Sequence, residues 1–328
     1  MNLAPIASRF AILLESPHSV SAQPDSLSWR HALLALAVTA VWGSNFVVIH
    51  AALEHLPPLL FAALRFAFSL LPAALFLKRP AVLWRNLAAY GLLVGAGQFG
   101  LLYIAMNGHI TPGLASLVVQ TQVFFTIGLA TMISGERVRP FQVLALIVTL
   151  AGVGIILHHT DKTTTALGLG LVLVAAAAWA GSNIVVRATP NADMLAYVVW
   201  ASLFAVPPLL AFSLAFEGWP QIRAGLASAD AVTWGAVLWQ AIGNTLFGYA
   251  MWGWLLSRYP VAAVAPMALM VPVFGMGSSA LVLGEPLQSW KLQAAGLVMT
   301  GLAINLLWPR LRARLAAVTS LPLPPSAR

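Results

Sequence analysis

Residues 41–48 read VWGSNFVV and residues 178–186 read AWAGSNIVV. Gly-Ser-Asn and a Val pair thus recur 138 residues on, each time just after a Trp and inside an apolar run. An Asn is out of place in such a run, because an amide facing lipid leaves donors and acceptors unsatisfied. Finding it twice, about half the chain apart, raises the question of a repeated unit.

Composition sets the environment. The chain has 328 residues, 60% of them hydrophobic and 8% charged, and a mean hydropathy of +0.87. A soluble chain carries roughly 25% charged residues. The class is therefore an all-α membrane protein that crosses the bilayer many times. The net charge of +8 reports orientation rather than nucleic-acid binding. With no cysteine, disulfides, thiol catalysis and Cys-held metals are excluded.

A bilayer core about 30 Å thick needs about 20 apolar residues of helix. Ten stretches qualify, near 30–50, 58–77, 85–105, 111–132, 139–157, 167–186, 194–214, 232–256, 260–283 and 288–308. Turn formers fill the junctions: Pro57-Pro58, Lys78-Arg79-Pro80, Gly135, Thr189-Pro190-Asn191 and Gly284. Residues 215–231 form the longest connection, read as a small surface loop. Residues 1–28 and 310–328 read as tails. Placing the N-terminus in the cytosol puts 13 Lys and Arg inside. It leaves three outside (Lys162, Arg223, Lys291) and Arg65 within a span. The positive-inside rule then predicts both termini in the cytosol.

The repeat extends beyond Gly-Ser-Asn. Gly135-Glu136 recurs as Gly284-Glu285, and Gly152 as Gly301, each 149 residues on. The eleven extra residues fit an insertion in 215–231. Pro72 has approximate counterparts in Pro207-Pro208. The chain is thus two units of five helices, residues 29–158 and 159–309. Because five is odd, the second unit enters the membrane inverted. Inverted repeats are typical of secondary transporters, whose substrate sits near the midplane between the halves.

These stretches, with LRF at 64–66, GERVRPFQVLALIVTLAGVGII from 135 and LGEPLQSWKLQAAGLVMTGLAI from 283, resemble the drug/metabolite transporter superfamily with two EamA-type repeats. Within it the chain is most similar to the YddG-type amino-acid exporters of bacterial inner membranes. The resemblance implies a ten-helix bundle, a central cavity, alternating access and amino acids or related metabolites as substrate.

The polar residues refine that expectation. All nine acidic residues fall in tails, loops or span ends. Proton-coupled pumps usually carry a deep carboxylate or His, so carboxylate-based proton coupling is not expected. Arg65 is the one deep charge. It either snorkels or bonds carbonyls at a broken helix, or it attracts a substrate carboxylate. The amides Gln98, Gln120, Gln240 and Asn244 must point inward. There they hold helices together at about 0.6 kcal/mol each or contact substrate. Gln240 and Asn244 lie one α-turn apart. Trp42, Trp179, Tyr249, Met267 and Met270 supply an apolar wall on the same helices or pack them. Pro266 and Pro272 are expected to kink span 9 twice. Span 4 has only Pro112, at its start, so span 9 is the candidate moving element. Gly91 and Gly95 are spaced for close helix packing. In the Gly-Glu pairs, Gly ends one helix and Glu favours the start of the next.

Asn45 lies about 7 Å from the outer end of its span at 1.5 Å per residue, and Asn183 as near the inner end of its own. These stretches are read as an outer and an inner gate, or as plain packing. No phosphate loop, metal-spaced His cluster or nucleophile triad is present, so no metal, cofactor or enzyme activity is expected. The expected partners are a small-molecule substrate and the lipid bilayer, with no nucleic acid, and the protein is expected as a monomer or homodimer. Efflux of apolar drugs is the alternative function. A membrane enzyme or receptor is the alternative of another class.

Overall fold

A computed structural model describes residues 27–134, 137–189 and 192–319. Among the described residues the regular structure is entirely helical. Ten long rods account for most of it. They are α1 Trp29–Leu53, α2 Pro58–Phe76, α3 Trp84–Met106, α4 Pro112–Ile133, α5 Pro140–His158 and α6 Ala166–Arg187. Then come α7 Met194–Phe212, the joined segments of α8 from Ala231 to Arg258, the joined segments of α9 from Val261 to Leu283, and α10 Ser289–Thr319. All but α8 carry a window long and apolar enough to cross a membrane. The amides, Thr245 and the Trp-rich sequence of α8 lower its hydropathy.

Successive rods alternate in direction. The face from which α1 starts is called here the near face, and the opposite one the far face. Side-chain contacts fix the register: Trp200 near the start of α7 donates its indole to Leu77 O, 3.0 Å, at the end of α2. His31 in the first turn of α1 meets the Tyr259 hydroxyl at 2.6 Å, just beyond α8. The first five rods and the second five therefore run in opposite senses.

Local sequence sets the helix ends. Ser28, Thr165, Asp193 and Asp230 each accept backbone N–H groups at an N-terminus, satisfying orphan donors there. Gly284 adopts φ +67° after α9, the left-handed helix stop that glycine takes without a Cβ clash.

Two expectations need correction. The connection expected as a loop at 215–231 holds a helix of 11 residues, Gly218–Ser228. Ile222 is buried there, and a Cβ on Gly225 would meet Pro57 Cδ at 2.7 Å. That helix supplies the extra length of the second repeat. The last rod does not stop at 309 but continues to Thr319. The Gly135-Glu136 pair, the tail before Leu27 and residues 320–328 lie outside the described residues.

Glycine spacing governs the close crossing of α3 and α7. A Cβ on Gly91 would run into Ala201 O, and one on Gly95 would meet Ala205 Cβ at 2.5 Å. So α3 and α7 touch backbone to backbone, as the spacing predicted. Gly95→Leu should therefore lower stability by about 1–3 kcal/mol through overpacking. Gly128→Leu, where an added Cβ meets nothing within 4 Å, should be close to neutral. Melting temperatures in detergent check the contrast.

Candidate functional site

Helices in lipid keep their backbone bonds within themselves unless the freed groups face protein or a cavity. This chain departs from α geometry in the middle of four rods. α3 winds as a π-helix over Leu93–Gly100, and α8 over Trp239–Phe247. α4 tightens to a 3₁₀ turn at Val119–Thr121, and α9 at Ala265–Leu269. Rods 3 and 8, and rods 4 and 9, are repeat partners. The same irregularity thus occurs at matching places in both repeats. Mid-helix π and 3₁₀ stretches often mark hinges and sites.

Most of the sequence-predicted site residues sit in or beside these segments. Gln98 is buried in the π segment of α3. Gln240 and Asn244 are buried in that of α8. They do not pair one α-turn apart, because the π winding links residue i to i+5. Thr245 Oγ1 instead donates to Gln240 O at 2.9 Å. Both polar atoms of the Gln240 side chain lack a partner although the residue is 0% exposed. Gln120 is buried in the 3₁₀ turn of α4.

Trp42 closes one wall. Its indole donates to Asn244 O at 3.1 Å, a carbonyl in the π segment. Its ring lies 5.8 Å from Tyr249 and 5.2 Å from Trp252, centroid to centroid. Gly248 admits that indole, since a Cβ there would collide with it. Arg65 sits behind this wall, 1% exposed. Its guanidinium donates to Tyr103 Oη at 3.2 Å and to Thr245 Oγ1 at 3.3 Å. Its Cζ lies 3.5 Å over the centroid of Phe99. Arg65 thus joins α2, α3 and α8. Sequence reasoning passed over Tyr103 and Thr245, since nothing in their residue type separates them from other Tyr and Thr.

The other candidates share apolar clusters with this wall, Trp179 with Tyr249 and Met267 with Trp252. Trp179 of α6 packs against the main core, with no ring contact to Trp42. Met267 packs at the near face on the cluster of Ala35, Leu255, Tyr259 and Val264. Met270 is half-buried and begins the far segment of α9. The two kinks expected at Pro266 and Pro272 are one 3₁₀ turn. Pro266 lies within that turn, and Pro272 lies in the first turn of the α segment Met270–Leu283, where its missing N–H breaks no helix bond. Since α4 has the same turn without a proline at that place, α9 is not distinguished by a break of its own.

The two Gly-Ser-Asn stretches differ. Asn183 Nδ2 donates to Gln122 Oε1 at 2.9 Å and to Thr126 Oγ1 at 3.3 Å, tying α6 to the near-face half of α4. Asn45 is buried with its Oδ1 unpartnered. There the contact is made by Gly43, where a Cβ would meet Val271 O and Phe274 Cβ of α9, both at 2.5 Å. The 149-residue offset maps Gln122 and Thr126 onto Val271 and Gly275. One repeat uses an amide network where the other uses glycine.

Packing is uneven between the faces. Towards the far face, α9 packs on α1 and on the first turns of α4, with Gly275 against Ser116. Towards the near face, the lower half of α4 packs on α6 and, among the described residues, has no comparable packing on α9. Two carboxylates of the second repeat hold the far face. Glu217 accepts from Leu59 N at 2.6 Å and Leu60 N at 3.1 Å at the start of α2. Glu285 accepts from Thr111 Oγ1 at 2.5 Å and Gly113 N at 3.1 Å at the start of α4. Ser279 donates to it as well, and Lys291 Nζ lies at 2.9 Å. So Glu285 caps a helix of the other repeat, not the next helix in the chain as expected. Burial raises the Glu285 pKa, but Ser279, Thr111 and Lys291 outweigh it and hold the carboxyl below its ordinary 4.5.

With this geometry in place, similarity to known proteins is informative. The EamA-like transporter family matches residues 29–158 and 166–307. A Salmonella typhimurium protein named "Probable amino-acid metabolite efflux pump" is 39% identical over 292 residues, which is 87% of this chain and 98% of that protein. The Escherichia coli K12 protein of the same name is 37% identical over the same shares. A solved crystal structure at 19% identity has a TM-score of 0.57 and covers 85% of this chain and 98% of its own. That likeness concerns the fold alone.

The Glu285 contacts generate a prediction. A depressed folded-state pKa makes their contribution complete above pH 4.5. It is lost as pH falls below that value, through the folded-state pKa. Glu285→Gln should lower stability at pH 7 by about 1.5–3 kcal/mol. The gap between wild type and variant should close on acidification below pH 4.5. Thermal melts from pH 7 to 3 check this.

Proposed function

We propose that this chain, which belongs to the EamA-like transporter family, is a secondary transporter that exports amino acids or closely related small metabolites. The observation that carries the substrate class is the set of residues on and beside the π segments of α3 and α8. Trp42, Tyr249 and Trp252 form an aromatic wall there, and the Gln240 amide in the π segment of α8 is buried with its hydrogen-bonding groups unspent. Apolar walls with a few convergent polar groups suit a small, partly polar solute. The names of the two relatives support the same class.

The orientation follows from charge. The near face carries the excess of Lys and Arg and is the cytosolic side of a bacterial inner membrane. Export then begins from the face where α4 and α9 are apart. No carboxylate of the described spans lies deep in the bundle, so transport runs down the substrate gradient or by exchange.

The gate follows from the inverted repeat. Exchanging the roles of the two repeats carries the far-face contact of Gly275 with Ser116 onto Thr126 and Ala265 at the near face. In the outward-facing state Thr126 of α4 closes on Ala265 in the 3₁₀ turn of α9. Asn183 anchors the moving half of α4 to α6, and Gly43 seats α9 on α1. Residues 29–158 and 159–309 are the two units that rock.

Uptake of labelled amino acids into liposomes containing the purified chain tests the function. Uptake above empty liposomes for at least one amino acid, insensitive to a pH gradient, is expected. No uptake of any amino acid contradicts the reading, and strict dependence on the pH gradient contradicts the uncoupled mechanism. The gate has its own test, helped by the absence of native cysteine. Thr126→Cys with Ala265→Cys should form a disulfide that arrests transport, and reductant should restore it. A pair that never cross-links during turnover, or whose cross-link leaves transport intact, contradicts it.

A further inference from the structure

Arg65 is a buried cation without an anion. Among the described residues no carboxylate lies within ion-pair distance of its guanidinium, although Lys291 finds Glu285. A guanidinium offers five N–H donors. Two go to neutral hydroxyls, Tyr103 at 3.2 Å and Thr245 at 3.3 Å. Both are long for a charged donor, whose bonds to carboxylate run about 2.7–2.9 Å. The Nε is buried with no partner.

The neighbours repeat the pattern. Thr245, which accepts from Arg65, itself donates to Gln240 O. The Gln240 side chain has neither its oxygen nor its nitrogen satisfied. An unpaired charge at this depth costs about 2.5–3.5 kcal/mol or more. The Phe99 face at 3.5 Å offsets only part of that, about 2 kcal/mol for a desolvated cation over a ring. A purely structural strut does not need a full positive charge here, since neutral donors would bridge the two hydroxyls.

We propose that Arg65 is the anchor for the carboxylate of the transported solute, with Gln240 as its neighbouring amide donor and acceptor. This rests on the reading of the chain as an exporter of amino acids and sharpens it: the solute must carry a free carboxylate. The carboxylate supplies the missing anion, displaces the weak Tyr103 and Thr245 contacts, and takes a forked pair of N–H donors. The aromatic wall of Trp42, Tyr249 and Trp252 then receives the rest of the solute.

The test crosses ligand with protein. Each labelled amino acid that wild-type liposomes take up is competed with its unlabelled self and with its own primary amide, which keeps the side chain but removes the anionic carboxylate. In wild type the amide should compete about tenfold or more weakly, as expected for loss of one charge-assisted bond. In Arg65→Gln that ratio should fall to about one, and Arg65→Lys should restore part of it. If wild type takes up no amino acid, the exporter reading fails and the anchor with it. If acid and amide compete equally in wild type, the anchor alone fails, and this arm needs no variant to fold. If Arg65→Gln weakens both ligands by one common factor, Arg65 is a structural strut and the proposal is overturned.

Discussion

In hydrocarbon a helix has nowhere to send its backbone polar groups except into itself or into neighbouring protein. That constraint organises this molecule. Six of its ten rods keep α winding through their middles, while α3, α4, α8 and α9 do not. The segments of α3, α4 and α8 carry buried residues, whereas the turn of α9 is only partly buried. The π segment of α8 offers Asn244 O to the Trp42 indole and Gln240 O to Thr245. The deviations fall at matching places in two repeats of opposite sense. The candidate site thus rests on backbone geometry as much as on side chains.

Polar economy elsewhere follows the same rule. Four carboxylates among the described residues sit at helix starts, where N–H groups are unsatisfied and the helix dipole favours negative charge. Asp193 and Asp230 cap their own helices, while Glu217 and Glu285 cap helices of the other repeat. Cross-capping makes far-face closure a contact between repeats. The guanidinium of Arg65 is the exception to this economy, since it meets only hydroxyls and rings.

Much of the fold was legible in the sequence because lipid imposes a simple signal. Ten apolar stretches, a 149-residue offset and an odd helix count lead to two inverted five-helix units. Gly91 and Gly95 were legible because their spacing has one common meaning in membranes. The site was only partly legible. Arg65, Gln240 and Trp42 are conspicuous in apolar runs, whereas Thr245 and Tyr103 are ordinary until π winding brings Thr245 to Arg65. The 3₁₀ turn of α4 carries no proline and so left no mark. Glu285 pointed to the wrong helix because a cap on another repeat leaves no local pattern. The helix Gly218–Ser228 was hidden by its Gly, Trp and Pro.

The central claim is that the paired irregular segments form the path of the substrate. Hydrogen exchange at backbone amides, read with and without a transported amino acid, addresses it directly. Added amino acid should slow exchange in 93–100, 119–121, 239–247 and 265–269 and leave α5 and α10 unchanged. Unaltered exchange in those four segments under saturating substrate, or protection confined to α5 and α10, would contradict it.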